Sequence, residues 1–132
     1  MALIPCDEAE AQEQVEPTST EERPECGEGL DDLLRVAGRG RSGSSKIWEV
    51  GDADPTRAAL EWFNRLVDPR TIRAHRNPDM ATLGGLEGTL KSGDGTVLYR
   101  PRSGSGGPAV DVGDHKLPEC SDLKFHFEPR DE

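Results

Sequence analysis

Four segments in the last third of this 132-residue chain alternate between apolar and polar residues. Successive side chains of a β-strand point to opposite faces, so this period of two predicts strands. The connection SGDG between the first two segments is rich in turn residues, which favours a hairpin and antiparallel pairing. The predicted strands are LEGTLK (86–91), TVLYRP (96–101), PAVDV (108–112) and LKFHFE (123–128).

One helix is predicted upstream of these strands. Asp54 is a suitable N-cap and Pro55 suits the first helical position, and the pattern continues to Val67. Apolar residues recur there at helical spacing and form one stripe: Ala59, Trp62, Phe63, Leu66 and Val67. The chain is therefore predicted to have an α+β fold, with one main helix packed on a four-stranded, mostly antiparallel sheet.

The negative charge of the chain lies at its N-terminus. Residues 1–32 contain eleven acidic residues and one basic residue, a net charge of −10, whereas residues 33–132 are neutral overall. This composition predicts a disordered acidic leader and a Gly/Ser/Arg linker over 1–45, in which LDDLLRVA (30–37) is compatible with one or two helical turns. The small α+β domain is predicted over 46–132. Because residues 33–132 are neutral overall, the acidic pI of the whole chain does not argue against a nucleic-acid partner.

Cysteine and terminal patterns add few constraints. Cys6, Cys26 and Cys120 show no metal-binding spacing, and free thiols are expected, with a Cys6–Cys26 disulfide as the alternative. The first residues lack the basic start and apolar run of a signal peptide, and no segment is apolar enough for a membrane anchor. We therefore expect no metal, no cofactor and no membrane anchor, and a monomer.

The alternation also sorts the side chains by face. The aliphatic and aromatic set is predicted to face the helix, which places Arg100, Asp111, Lys124 and His126 on the opposite face. Two interpretations remain open at this point. This face is either an ordinary solvated surface or a surface that binds an anion.

The connection RSGSGG between the second and third predicted strands favours anion binding. Glycines expose backbone N–H groups, and serine hydroxyls and arginines are donors suited to phosphate. The nucleotide-binding P-loop pattern is absent, and no helix follows the loop. The candidate phosphate- or RNA-binding residues are Arg102, Ser103, Ser105, Gly106, Gly107 and Asp111, the last of which would orient Arg100 or a histidine.

Cations and histidines together suit RNA cleavage without a metal. The 2′-hydroxyl is the nucleophile, so the protein must move protons and stabilise the anionic phosphorane. Histidine titrates in the right range, and the chain has three: His75, His115 and His126. His126 is favoured by its strand position and His75 by its arginine neighbours, whereas His115 is the weakest candidate. Arg100 and Lys124 complete the candidate catalytic set.

The sequence resembles the C-terminal toxin domains of bacterial polymorphic toxins, which are the tips of contact-dependent, Rhs-type or filamentous haemagglutinin-like proteins. The resemblance covers about residues 46–128 and rests on the helix with paired aromatics and on the stretches GDGTVLYRPRSGSGGPAVDV and DLKFHF. The matching residues are Asp94, Gly95, Thr96, Tyr99, Arg100, Pro101, Ser103, Ser105, Gly107, Pro108, Asp111, Lys124 and Phe127.

The resemblance implies a metal-independent endoribonuclease of the barnase, EndoU, colicin or RelE-like α+β type, which cuts tRNA or mRNA. It also implies secretion as part of a larger effector, delivery into the cytoplasm of a competing cell, and a cognate immunity protein. The residues themselves leave an alternative from another class. A non-enzymatic module would bind anions or nucleic acid and would be masked by its acidic leader.

Overall fold

A computed structural model describes residues 25–40, 46–104 and 106–130. The helices are α1 (Glu28–Val36), α2 (Pro55–Leu66) and α3 (Pro78–Thr82), with 3₁₀ turns at Pro69–Thr71 and Pro118–Cys120. The strands are β1 (Gly38–Arg39), β2 (Ile47–Asp52), β3 (Arg73–Ala74), β4 (Leu86–Thr89), β5 (Thr96–Arg100), β6 (Ala109–Gly113) and β7 (Leu123–Pro129). The fold class is α+β, as predicted.

The strands form one sheet in the order β1-β2-β7-β6-β5-β4-β3. The four predicted strands are present as β4 to β7 and pair antiparallel in sequence order. The predicted four-stranded sheet is nevertheless wrong in extent, because β1, β2 and β3 extend it to seven strands. Strand β2 pairs parallel with β7, so the sheet is mixed.

Helix α2 covers one face of the sheet. Its N-cap Asp54 accepts a hydrogen bond from the Arg57 N–H, and Pro55 takes the first position, as the sequence predicts. The ring of Phe63 packs 6.3 Å from that of Tyr99, between centroids, and joins helix to sheet. No helix in the described ranges is long and apolar enough to cross a bilayer.

Helix α1 and strand β1 precede residue 46, where the folded domain was predicted to begin. Leu30, Leu33 and Leu34 of α1 are almost fully buried and belong to the same apolar core as α2 and the sheet. The described structure thus has three α-helices rather than one main helix. The rest of the predicted leader and linker, residues 1–24 and 41–45, lies outside the described residues.

A substitution in α1 measures how much this helix contributes to the core. We expect Leu33→Ala to lower the free energy of unfolding by about 2–5 kcal/mol, because it opens a cavity where the side chain has no exposure. Val36→Ala on the exposed side of the same helix is the matched control, and its effect should be within about 0.5 kcal/mol. Urea unfolding of the full chain measures both. Equal stabilities for the two variants would mean that α1 adds nothing to the core.

A disulfide joins Cys26, just before α1, to Cys120 in the second 3₁₀ turn. The expectation of free thiols is therefore wrong for these two residues, while Cys6 lies outside the described residues. The spacing in sequence is 94 residues, so the pairing depends on the fold and has no local sequence signal. The bond attaches the start of the described chain to the sheet domain.

Candidate functional site

The sheet surface opposite α2 carries the predicted polar residues, and we call it the polar face. Cross-strand registers order its residues in two rows. The first row runs from β4 to β7 through Glu87, Leu98, Asp111 and Lys124. The second runs from β5 to β7 through Arg100, Ala109 and His126. The structure thus brings together the four side chains that alternation assigned to this face.

Arg100 is held in place by Asp111. Its Nη2 donates to Asp111 Oδ1 at 3.0 Å, and its Nε lies 2.6 Å from Oδ2 in an ion-pair contact without hydrogen-bond geometry, so mostly buried side chains meet at two points. Such a contact fixes the plane of a guanidinium group, which still has further N–H groups for another anion. The predicted role of Asp111 in orienting a cation is consistent with this geometry. Lys124 lies opposite Asp111 on β7 and is exposed.

His126 is half-buried and lies beside the serine-rich loop. The Ser103 hydroxyl donates to the Gly107 carbonyl at 2.7 Å, so it can only accept from the ring of His126, whose Nδ1 is 3.4 Å away. This contact is long for a hydrogen bond and correspondingly weak. It favours the tautomer with the proton on Nδ1, which leaves Nε2 as the basic nitrogen of the neutral ring.

The loop itself is folded into a turn. The N–H of Ser103 donates to the Gly107 carbonyl and the N–H of Gly106 to the Ser103 carbonyl, both at 2.9 Å. These two amides are therefore already paired, and the loop offers fewer backbone donors than its glycine content predicts. Gly106 has a φ of 104°, a left-handed value that favours glycine. Arg102 is exposed beside the turn, and Ser105 lies outside the described residues.

His75 extends the second row beyond β5. Its N–H donates to the Gly85 carbonyl at 3.1 Å, which continues the β3–β4 pairing and places His75 opposite Gly85, the residue next to Arg100 in the same row. A Cβ on Gly85 would lie 2.8 Å from the Met80 carbonyl and 3.1 Å from His75 Cβ, so only glycine fits. Arg100 therefore lies between two histidines along one row.

The His75 ring is a neutral hydrogen-bond donor. Its Nδ1 accepts from the Asn77 N–H at 2.9 Å, so the proton is on Nε2, which is buried and has no hydrogen-bond partner among the described residues. Burial lowers the pKa of His75; Glu87 and Asp111 act against this shift, while Arg76 and Arg100 reinforce it. In this tautomer His75 can stabilise negative charge but cannot accept a proton at Nε2.

Glu87 is the polar-face residue that sequence reasoning missed. Its carboxylate is 3% exposed and accepts from Arg73 Nε at 2.7 Å and from Arg76 Nε at 3.1 Å. Burial works to raise the pKa of Glu87, but the hydrogen bonds from both arginines outweigh it and the pKa is lowered. The alternation of residues 86–91 could have placed Glu87 on the polar face. Its partners Arg73 and Arg76 could not have been predicted in this way, because they belong to a segment without clear periodicity.

His115 lies away from this face. Its Nδ1 accepts from the Leu117 N–H at 3.1 Å, and its Nε2 lies 3.2 Å from the Cys26 carbonyl oxygen, next to the disulfide. The ring is buried and ties the loop before the second 3₁₀ turn to the start of α1. A structural role fits these contacts, in line with its low rank among the histidine candidates.

The pKa of His75 predicts a pH dependence of stability. The unfolded chain takes up a proton near pH 6.5, the ordinary value, and the folded chain does so only at lower pH. The contribution of His75 is thus fully present above about pH 6.5 and decreases as the pH falls toward the lower folded pKa. We expect His75→Gln to flatten the decrease in unfolding free energy between about pH 7.5 and 5.5. Urea titrations at both pH values test this, and parallel decreases in the two proteins would contradict it.

A separate cleft of about 310 Å³ lies at the start of α1, lined by residues that include Cys26, Leu30, Arg65 and Lys91. It contains none of the polar-face residues. In the described ranges no group of three or more His, Cys, Asp or Glu side chains is arranged to hold a metal ion. The polar face therefore remains the place where the candidate residues converge.

Comparison of the chain with protein-family models, curated proteins and solved structures finds no match. By its fold and its site, the chain is a small α+β domain with a mixed sheet. A helix covers one face of this sheet, and the other face carries histidines and arginines paired with carboxylates.

Proposed function

We propose that this chain is a metal-independent endoribonuclease that cleaves RNA by attack of the 2′-hydroxyl. The observation that carries the proposal is the row on the polar face in which Arg100 lies between His75 and His126. Cleavage of a phosphodiester needs a proton-transfer group and fixed positive charge at the same phosphate. This row offers both, and Gly85 and Ala109, which alternate with these residues, have at most a methyl group.

Each residue has a proposed role. Arg100, oriented by Asp111, binds the scissile phosphate and stabilises the charge of the phosphorane. His126 removes the 2′-hydroxyl proton through Nε2, the nitrogen that its contact with Ser103 leaves basic. As the P–O5′ bond breaks, the protonated ring returns this proton to the leaving 5′-oxygen, and a 2′,3′-cyclic phosphate remains. His75 donates its Nε2–H to a phosphate oxygen, and Lys124 adds positive charge. Arg102, Ser103, Ser105, Gly106 and Gly107 form the loop that borders the phosphate.

The resemblance to polymorphic toxin tips extends the proposal to biology. The chain would then be the toxic end of a secreted effector that cuts tRNA or mRNA in the cytoplasm of a competing cell. Its producer would need an immunity protein, and the polar face is the surface that such an inhibitor would have to cover.

The experiment is incubation of the full chain with total bacterial RNA in EDTA. We expect discrete fragments that end in 2′,3′-cyclic or 3′-phosphate, because the 2′-oxygen attacks the adjacent phosphorus. Intact RNA, together with circular dichroism that shows a folded protein, would contradict the ribonuclease.

A non-enzymatic binding module is the second candidate, favoured by two exposed cations, Arg102 in the loop and Lys124 on the polar face. In that case binding would weaken steeply with salt and no product would form. The RNA incubation separates the two candidates, since only the enzyme yields fragments.

A further inference from the structure

Two arginines and a buried carboxylate form a second cationic group at the β3 edge of the polar face. Glu87 accepts one Nε–H on each carboxylate oxygen, from Arg73 on Oε2 and from Arg76 on Oε1. We call these three residues the arginine clamp. The shared carboxylate holds the two guanidinium groups side by side, although like charges repel, and the clamp has a net charge of +1.

The clamp presents its donors outward. The arginine side chains are 73% and 55% exposed, whereas the Glu87 side chain is 3% exposed. Each guanidinium donates its Nε–H to Glu87, and neither makes another hydrogen bond in the described part of the chain. Their Nη groups, held in a fixed arrangement, suit the oxygens of a phosphate.

A second, independent observation points to a ligand at this position. His75 lies between Arg73 and Arg76 in sequence, is 8% exposed, and has a buried Nε2–H with no partner among the described residues. Buried donors in folded proteins are nearly always satisfied. By register His75 lies opposite Gly85 in the row that contains Arg100, and it is two residues from Arg73 of the clamp.

The position of the clamp relative to Arg100 suggests what it binds. Glu87 is opposite Leu98 on β5, and Arg100 is two residues further along the same strand and face. Such diagonal neighbours are about 7–8 Å apart. This distance is of the order of the spacing between successive phosphates in an extended nucleotide chain.

We propose that the arginine clamp is a second phosphate-binding subsite, which holds the phosphodiester next to the one bound at Arg100. The ligand is the backbone of a single-stranded oligonucleotide that occupies both subsites, and the His75 N–H donates to an oxygen between them. This inference rests on the proposed function in assigning the first phosphate to Arg100. The clamp itself is defined by its own contacts.

Binding of a fluorescent 2′-deoxyoligonucleotide to the full chain tests the subsite, because this probe lacks the nucleophile and cannot be cleaved. We expect the double variant Arg73→Gln/Arg76→Gln to lose affinity about tenfold, and the slope of log K against log salt to become shallower by about 0.7 for the lost phosphate contact. Arg57→Gln is the matched control, since Arg57 is 74% exposed, also donates its Nε to a glutamate, and lies on α2. Equal affinity and slope in the double variant and this control would overturn the subsite.

Glu87→Gln separates a fixed clamp from simple positive charge. Removal of a negative charge alone would tighten binding of the probe, whereas loss of the shared carboxylate releases the two arginines. We expect weaker binding, and tighter binding would overturn the clamp. If Glu87→Gln does not fold, the Arg73→Gln/Arg76→Gln variant tests the subsite without it. Both arginine side chains are exposed, so their replacement should leave the fold intact.

Inorganic phosphate distinguishes a free anion from an oligonucleotide. If the double variant loses competition by phosphate but keeps the affinity and salt slope of the probe, the site is one for free phosphate and the proposal is wrong. Failure of the ribonuclease would look different: RNA would stay intact while probe binding still depended on Arg73 and Arg76.

Discussion

Replacement of His126 by alanine is expected to slow RNA cleavage by about 10²–10⁴-fold, the usual contribution of a positioned proton-transfer group. The ring lies in the same row as Arg100, and its contact with Ser103 leaves Nε2 to take the 2′-hydroxyl proton. The measurement is the initial rate of fragment release from a defined RNA, at saturating and at low substrate. We expect the loss in kcat, with little change in KM.

Glu128→Gln is the control for this prediction, because Glu128 follows His126 by two residues on the same face of β7. It should leave the rate within a few-fold of the wild type. Thermal unfolding must show that both variants fold. A folded His126→Ala variant with the wild-type rate would remove His126 from the mechanism.

Arg100→Lys provides a companion test of geometry. Lysine keeps the charge but loses the two-point contact with Asp111, so it presents a mobile point charge where arginine presents a fixed plane. If fixed orientation matters, this variant loses most of the activity, and probe binding weakens less than cleavage does. Full activity in Arg100→Lys would mean that charge alone is sufficient at this position.

The polar face could be predicted because strand alternation is a local property. Arg100, Asp111, Lys124 and His126 each have apolar neighbours in sequence that must face the helix, so their side of the sheet follows from a few residues. The antiparallel order of β4 to β7 is also local, since each connection is short. The N-terminus of α2 is predictable for the same reason, from Asp54 and Pro55.

The features that sequence reasoning missed depend on contacts between distant segments. The pairing of strand β2 has no local signal, because its parallel partner β7 lies near the other end of the described chain. One or two helical turns over 30–37 were compatible with the sequence, but the acidic composition placed them in a disordered leader, so the burial of Leu30, Leu33 and Leu34 in the core was missed.

Glu87 and His75 show the same limitation within the site. Glu87 is one polar residue of a strand until the irregular segment before it folds back and brings Arg73 and Arg76 to its carboxylate. The neutral donor state of His75 follows from the Asn77 N–H, a backbone contact that no side-chain pattern reveals. The residue types were visible in the sequence, but their pairing and protonation required the fold.

Removal of the Cys26–Cys120 disulfide is expected to lower the free energy of unfolding by about 4 kcal/mol, because the bond closes a loop with a sequence separation of 94 residues and limits the unfolded chain. The double variant Cys26→Ala/Cys120→Ala, compared with wild type by urea unfolding, measures this. Wild type in reductant should match the variant, and reductant should not change the variant. Cys6→Ala is the control and should behave as wild type in both conditions.

This result has a consequence for the proposed delivery into a cell. Disulfides persist in oxidising compartments and are reduced in the cytoplasm, so a delivered toxin would lose this bond at its site of action. The domain must then stay folded through its apolar core alone. Leu30, Leu33 and Leu34 belong to that core and pack α1 together with α2 and the sheet. We therefore expect the reduced protein to keep its circular dichroism and its cleavage rate at 25 °C, with only its resistance to urea lowered. Unfolding on reduction alone would be incompatible with action in a reducing cytoplasm.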